Sequence, residues 1–302
     1  VLFSVGTRFN DRITGDLEEF APNAKIVHID IATASISRNV VVDVPVVSDA
    51  RLALETMMDW AKSRSTKAWR DTIAAWEKEN PLGMREDKGM SPQMIMEEIN
   101  RAYDSGVVVT DVGQHQMWAS QFLAFGPEKR FITSGGLGTM GFGFPAAIGA
   151  KIGCPDADVV CISGDGGMQM NIQELATAVV EEVPVTVCIL NNYYLGMVRQ
   201  MQQLFYGKRY SATCLRRRRS CPADCKGPNK NCPPYEPDFV KLAESYGAHG
   251  IRVTEASEIA PALAQAKANT DAPTIIEFLI ATDELVLPMV KSGNPMSEMI
   301  LR

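Results

Sequence analysis

Short continuous apolar runs recur along the chain, separated by segments of helix length in which apolar residues return every three or four positions. The runs are Val1 to Val5, Lys25 to Ile31, Val107 to Val112, Asp158 to Ser163, Pro184 to Leu190 and Pro273 to Ala281. Strands that are apolar throughout, not alternately, suit a parallel sheet covered on both faces, so the pattern predicts an α/β fold. The first two runs flank a polar turn at Asn10-Asp11-Arg12 and a helical stretch around Leu17 to Phe20, and a further helix is expected from Ala50 to about Lys62. In the charged stretch from Trp69 to Lys88, Asn80-Pro81-Leu82-Gly83 breaks any helix, which predicts a linker over 74–88. Ser91-Pro92 then opens a helix with proline at its first position, continued by Ile95, Ile99 and Ala102 at helical spacing. The expected layout is an α/β unit over 1–73, the linker, a second α/β unit over 89–282 and a tail over 283–302. Because Val1 to Gly6 already reads as a buried strand and its turn, the natural start is expected upstream.

Composition narrows the class. The 302 residues are 46% apolar and 22% charged, which is the balance of a globular protein with a full core. No run approaches the roughly 18 to 20 apolar residues of a membrane span and no basic, apolar leader opens the chain, so a cytoplasmic protein with no membrane partner is expected. The net charge of −6 gives no global case for nucleic acid. One stretch departs from this balance: between Gly207 and Cys232 eight Lys or Arg face the single acid Asp224. Of the seven cysteines, Cys154, Cys161 and Cys188 sit in or beside apolar runs as small core residues, whereas Cys214, Cys221, Cys225 and Cys232 all fall in the basic stretch.

Candidate chemistry centres on Gly164-Asp165-Gly166, followed after 24 residues by Asn191-Asn192, each at the carboxyl end of an expected strand, where open α/β sheets bind ligands. Asp165 offers a carboxylate and Asn192 an amide carbonyl, hard oxygen donors of the kind Mg²⁺ accepts beside phosphate. Gly166 and Gly167 leave N–H groups open before a helix expected from Met170 to Val180, and helix N-termini attract phosphate. Two unrelated turns are the bland alternative, and either alone is weak. Together they resemble the diphosphate-binding signature of thiamine-diphosphate enzymes, which implies Asp165, Asn192 and the Tyr194 carbonyl as Mg²⁺ ligands, with Gly164, Gly166 and Gly167 around the diphosphate.

A narrower resemblance extends over nearly the whole chain. Val112-Gly113-Gln114-His115-Gln116-Met117-Trp118, Thr133 to Gly141 and Leu195-Gly196-Met197-Val198 are similar to the catalytic subunits of the acetolactate synthase (acetohydroxyacid synthase) family. The resemblance implies that Gly113, Gln114 and His115 meet the diphosphate, that Gly138 and Met140 meet the aminopyrimidine through their backbones, and that Gly196 and Met197 complete the cofactor site. It gives Met140 the further role of bending the cofactor so that its reacting groups are close; plain core filling by methionine is the alternative. Gly6 to Gly15 and His28-Ile29-Asp30-Ile31 resemble the FAD-associated central domain of the biosynthetic members, placing Asp11, Arg12, Asp30 and Asp49 along the flavin nucleotide; acids after strands are equally helix caps. The implied reaction decarboxylates pyruvate and joins its two-carbon unit to pyruvate or 2-ketobutyrate, in branched-chain amino acid biosynthesis. A homodimer or tetramer with shared active sites and a regulatory small subunit are implied too. The activating glutamate of the family lies in an N-terminal domain, outside this chain.

Two features depart from the family. Val198 and Met201 fall at the substrate-specificity positions, and Met201 stands where relatives generally carry tryptophan, so weaker preference for 2-ketobutyrate is expected. The stretch 214–235 reads as an insertion, with cysteines spaced C-x6-C-x3-C-x6-C. Zinc or an iron–sulfur cluster, free thiols on a solvated loop, and disulfides all remain open for it. Rival functions are another FAD-containing carboligase acting on glyoxylate, a pyruvate oxidase, or a metal, redox or nucleic-acid-binding module built on the basic stretch.

Overall fold

The computed structural model describes residues 1–84, 89–222, 225, 232 and 237–301, and the chain divides into two units, Val1–Pro81 with Leu287–Arg302, and Leu82–Val286. Parts of the expected linker (85–88) and insertion (223–224, 226–231 and 233–235) lie outside the described residues.

The first unit runs β1 (Leu2–Val5), α1 (Asp11–Thr14), β2 (Ile26–Asp30), β3 (Val44–Val47), α2 (Ala50–Met58) and α3 (Lys67–Glu79), its strands forming a parallel sheet in the order β1-β2-β3. The helix expected at Leu17 to Phe20 is instead a turn, and helix forms earlier, where a polar turn was expected. Asn10 accepts from the Arg12 N–H at 3.1 Å and Gly15, at φ 57°, ends the turn of helix that follows. α2 stops at Met58, four residues before the expected Lys62. α3 continues through Glu79, because Trp69, Ile73 and Trp76 recur at helical spacing until Asn80-Pro81 stops them, so the linker expected from residue 74 begins inside a helix. Residues from Leu287 onward rejoin this unit. The Ser292 hydroxyl donates to Asp11 Oδ2 at 2.9 Å, Arg12 to the Val290 carbonyl at 3.3 Å, and the Asp16 N–H to the Asn294 carbonyl at 3.0 Å.

The second unit begins with α4 (Pro92–Ala102), capped by the Ser91 hydroxyl and burying Ile95, Met96 and Ile99. There follow β4 (Gly106–Thr110), α5 (Gln114–Phe122), β5 (Lys129–Thr133), α6 (Gly143–Gly153), β6 (Val159–Gly164), α7 (Asp165–Met168), α8 (Glu174–Val180), β7 (Thr186–Asn191), α9 (Gly196–Phe205), α10 (Phe239–Tyr246), β8 (His249–Val253), α11 (Ile259–Ala268) and β9 (Thr274–Leu279). All six strands are parallel, in the order β5-β4-β6-β7-β9-β8. Every residue of β6 and β7 is buried, including Cys161 and Cys188, which accounts for their unbroken apolar runs. Cys154 is only half-buried, beyond α6, with the Arg130 guanidinium 3.5 Å from its sulfur. The helix expected from Met170 is divided: α7 starts at Asp165 itself and α8 only at Glu174. Between β4 and β6 the strand order reverses, which opens a crevice at their carboxyl ends. Among the described residues no helix is long and apolar enough to cross a membrane.

Candidate functional site

The crevice at the switch point is a cleft of about 470 Å³ whose walls come from three strand ends. Gly113, Gln114 and His115 follow β4, Gly164, Asp165, Gly166 and Gly167 follow β6, and Asn192, Tyr194, Gly196, Met197 and Val198 follow β7; Met140 enters from the loop before α6. These residues are far apart in sequence. Gly138 and Met201 do not line the cleft: Gly138 sits in the turn before Met140, its N–H donating to the Ser134 carbonyl at 3.0 Å, and Met201 lies on α9 one turn beyond Met197, half-buried. Val112, Trp118, Leu190 and Leu195 complete the lining; Val112, Trp118 and Leu195 lie in the motifs quoted above but had no role assigned, and Leu190 reads as an ordinary strand residue.

Close approach dictates the glycines here. Gly113 has φ 151°, and a Cβ on Gly166 would stand 2.7 Å from Leu195 Cδ2, so at both positions the backbone itself faces the cleft. Asp111, also missed in the sequence because its role is tertiary, ties the Met140 loop to β4. Its buried carboxylate accepts from the N–H groups of Val112 at 2.8 Å, Gly141 at 3.1 Å and Gly143 at 2.8 Å.

The two asparagines part company. Asn191 Nδ2 donates to Glu277 at 2.8 Å, and Glu277 is in turn paired with Arg252 at 2.8 Å, a link across β7, β9 and β8 that runs from the buried Asn191 to the exposed Arg252. Asn192 faces the site. Its Nδ2 donates to Gln114 Oε1 at 3.2 Å, which leaves its carbonyl oxygen as the hard donor; that oxygen accepts from the Tyr194 N–H at 3.0 Å and keeps a second lone pair. Gln114 Nε2 donates to Gln200 Oε1 at 2.8 Å and to the Glu284 carbonyl at 2.9 Å, and Gln200 exchanges hydrogen bonds with both backbone groups of Val286. This chain of amides fixes the β4 and β7 loops against one another.

His115 is buried, with a backbone hydrogen bond at Asp111, and its Nε2 has no partner among the described residues. Burial pushes the imidazole down to about 4 against the upward pull of the Asp111 carboxylate, so it is neutral at ordinary pH. Tyr194 is pushed up to about 12, first by burial, and its ring shares the Arg199 guanidinium with Tyr210, each centroid 4.6 Å away.

The cleft fits thiamine diphosphate and its divalent ion. An orphaned buried nitrogen on His115, a glycine floor without room for side chains, and the oxygens of Asp165 and Asn192 meet in one space. In the first unit, Asp30 ends β2 and Asp49 lies just past β3, on the carboxyl edge of the parallel sheet that also carries the Asp11–Arg12 loop after β1. Asp49 caps α2 and Asp30 accepts from the Ala32 N–H at 2.8 Å, both local bonds, whereas Asp11, paired with Arg12 at 3.1 Å, also accepts from the distant Ser292 hydroxyl. Cys214, Cys221, Cys225 and Cys232 line a second, solvent-open cavity with Tyr194 and Arg216, and none forms a disulfide.

Residues 111–278 match the model of the thiamine pyrophosphate enzyme C-terminal TPP binding domain, and residues 1–57 that of the thiamine pyrophosphate enzyme central domain. The chain belongs to the thiamine pyrophosphate enzyme family. Thiamine pyrophosphate is thiamine diphosphate, and the matched C-terminal domain spans all three strand ends of the cleft. The chain is 42% identical to the acetolactate synthase large subunit of Corynebacterium glutamicum, over 99% of this chain and 47% of that protein. It is 40% identical to the acetolactate synthase large subunit of Cyanidium caldarium (99% and 49%) and 39% identical to the acetolactate synthase isozyme 3 large subunit of Escherichia coli (100% and 51%). The chain spans about half the length of the curated relatives it matches.

Proposed function

We propose that the chain is the cofactor-anchoring half of an acetolactate synthase large subunit, which joins the two-carbon unit of pyruvate to a second pyruvate or to 2-ketobutyrate. The observation that carries this reading is the convergence of Gly113–His115, Met140, Asp165–Gly167 and Asn192–Met197 on one cleft at the sheet's switch point. Thiamine diphosphate supplies the carbon centre that takes up the decarboxylated unit, and the protein supplies position and electrostatics. Asp165, the Asn192 carbonyl and the Tyr194 carbonyl would hold the divalent ion, a hard-oxygen set of the kind Mg²⁺ takes with phosphate. Tyr194 and Cys214 pair antiparallel between the flanking bonds of Leu195 and Leu215, so that ladder makes no use of the Tyr194 carbonyl. Asp111 sets the Met140 loop, Val198 on α9 meets the second keto acid, and Met201, one turn beyond Met197, supports that part of α9 from outside the lining.

The first unit carries FAD along Asp11, Arg12, Asp30 and Asp49, a reading supported by their common position at the carboxyl edge of its sheet. The relatives' designation as large subunits supports a small regulatory partner and an oligomer. The test uses full-length enzyme with Asp165→Ala: Mg²⁺-dependent binding of thiamine diphosphate, followed by calorimetry, should be lost. Unchanged affinity in that variant removes the site assignment, and a product other than acetolactate from pyruvate removes the reaction.

A further inference from the structure

We propose that Cys214, Cys221, Cys225 and Cys232 bind a thiolate-ligated metal centre that clamps the base of the insertion to the loop carrying Asn192 and Tyr194. All four cysteines are half-buried and line one solvent-open pocket, and none forms a disulfide. Among the described residues no carboxylate lines that cavity, and its thiol donors are soft and suit zinc or iron–sulfur chemistry, not Mg²⁺. Backbone N–H groups are already turned to sulfur: Arg218 donates to Cys221 Sγ at 3.3 Å, and Arg216 to Cys214. Such bonds stabilise metal-bound thiolates and tune iron–sulfur centres. The side chains of Arg216 and Arg217, also at the cavity, offset the negative charge a tetrathiolate centre carries.

The arrangement of the sulfurs bears on the metal. Among the described residues no three His, Cys, Asp or Glu side chains close into a set that could hold a single ion. A cubane cluster asks for something else, since each thiolate binds its own iron and the sulfurs ring a volume instead of meeting at a point. Four cysteines that line one cavity without closing on a single point meet that demand better than they meet zinc. Binding is balanced by protons: each thiol enters as thiolate and its proton leaves to solvent.

The cavity shares a wall with the cofactor cleft, because Tyr194 lines both. The Leu195 N–H donates to the Thr213 carbonyl at 2.8 Å and the Leu215 N–H to the Tyr193 carbonyl at 3.0 Å, with Tyr194 opposite Cys214 between them. The Arg216 guanidinium lies 4.7 Å from the centroid of the Tyr193 ring, and Tyr193 is held at φ 67°, a strained value for a bulky residue. Leu215 reaches toward Gly166, with Cδ1 3.7 Å from where its Cβ would be. A centre that fixes Cys214 therefore fixes the backbone of Tyr193 to Leu195. The clamp rests on reading the cleft as the diphosphate site; the metal centre does not.

Full-length protein purified anaerobically is analysed for iron, acid-labile sulfide and zinc, alongside a Cys221→Ser, Cys225→Ser double variant. About four irons and four sulfides per chain, lost in the variant, is the expected result. One zinc per chain, likewise lost, keeps the thiolate centre and gives it to zinc. Metal at only a small fraction of one atom per chain, or content unchanged in the variant, overturns the proposal. The clamp has its own readout, amide hydrogen exchange at Leu195 and Leu215 before and after chelation of the wild-type protein. Exchange should quicken at least ~tenfold there and not at Val187 to Leu190, which report the intact sheet. Equal rates before and after overturn the clamp while leaving thiamine diphosphate binding, measured separately, to judge the cleft.

Discussion

His115 is an imidazole kept neutral by burial, and this makes the cleft wall sensitive to acid. Its folded value lies at about 4 against an ordinary 6.5, so on acidification the unfolded chain takes up the proton first. Stability from this residue is constant above 6.5 and falls as the pH drops toward 4, by on the order of 3 kcal/mol over the window. In urea titrations at pH 7 and pH 5, His115→Asn should lose ~2 kcal/mol less than the parent between the two conditions. Equal losses would mean that the imidazole titrates normally. At the same scale, Met201 lies one helical turn beyond Met197, half-buried and outside the lining of the cleft. A flexible thioether provides no rigid wall to reward one extra methyl group, a contact worth ~1–3 kcal/mol. In competition between pyruvate and 2-ketobutyrate, Met201→Trp should raise the share of acetohydroxybutyrate about tenfold. An unchanged share removes Met201 from the specificity position.

Among the elements, α9 bears a buried amide, Gln200, that joins the residue following Gly113 after β4 to the segment after β9. Gln200 bonds Gln114 and both backbone groups of Val286, so Gln200→Leu strands three buried polar groups at once. A loss of about 2–4 kcal/mol is expected, read as a lower denaturant midpoint, with weaker thiamine diphosphate binding because Gln114 also orients Asn192. Little of this network was legible from residue types, since a glutamine on an amphipathic helix looks like any solvated residue. The strands differ in the same way. β4, β6, β7 and β9 are interior and apolar throughout, and their runs were readable. β5 and β8 are the two edges, mix Lys129, Arg130 and Arg252 with apolar positions, and were missed. At the cleft, the glycine and acid motifs were legible because their chemistry needs those residue types. The tie made by Asp111 was not, and Trp118 and Leu195 stood inside motifs without a role, because only the fold brings them to the cleft.

For the molecule as a whole, the residues after Leu287 belong with the first 81, while the cofactor cleft lies wholly in the segment between. Ending the chain after Val286 should therefore spare the cleft and damage the first unit, which would lose the Ser292, Val290 and Asn294 contacts to Asp11, Arg12 and Asp16. Scanning calorimetry with and without Mg²⁺ and thiamine diphosphate distinguishes the units, since ligand raises only the transition of the unit that binds it. Truncation should lower the ligand-insensitive transition by several degrees, about 4–8 °C per kcal/mol for a unit of this size, and leave the other in place. A drop confined to the ligand-sensitive transition would reverse the assignment. The same interrupted connectivity imposes an order on birth. A ribosome adding ~5–20 residues per second needs ~10–40 s to make the roughly 200 residues of the intervening unit. Until then the opening sheet must wait without its closing strap, and the exposed apolar side chains of Phe3, Val44 and Val47 make it a natural client for chaperones.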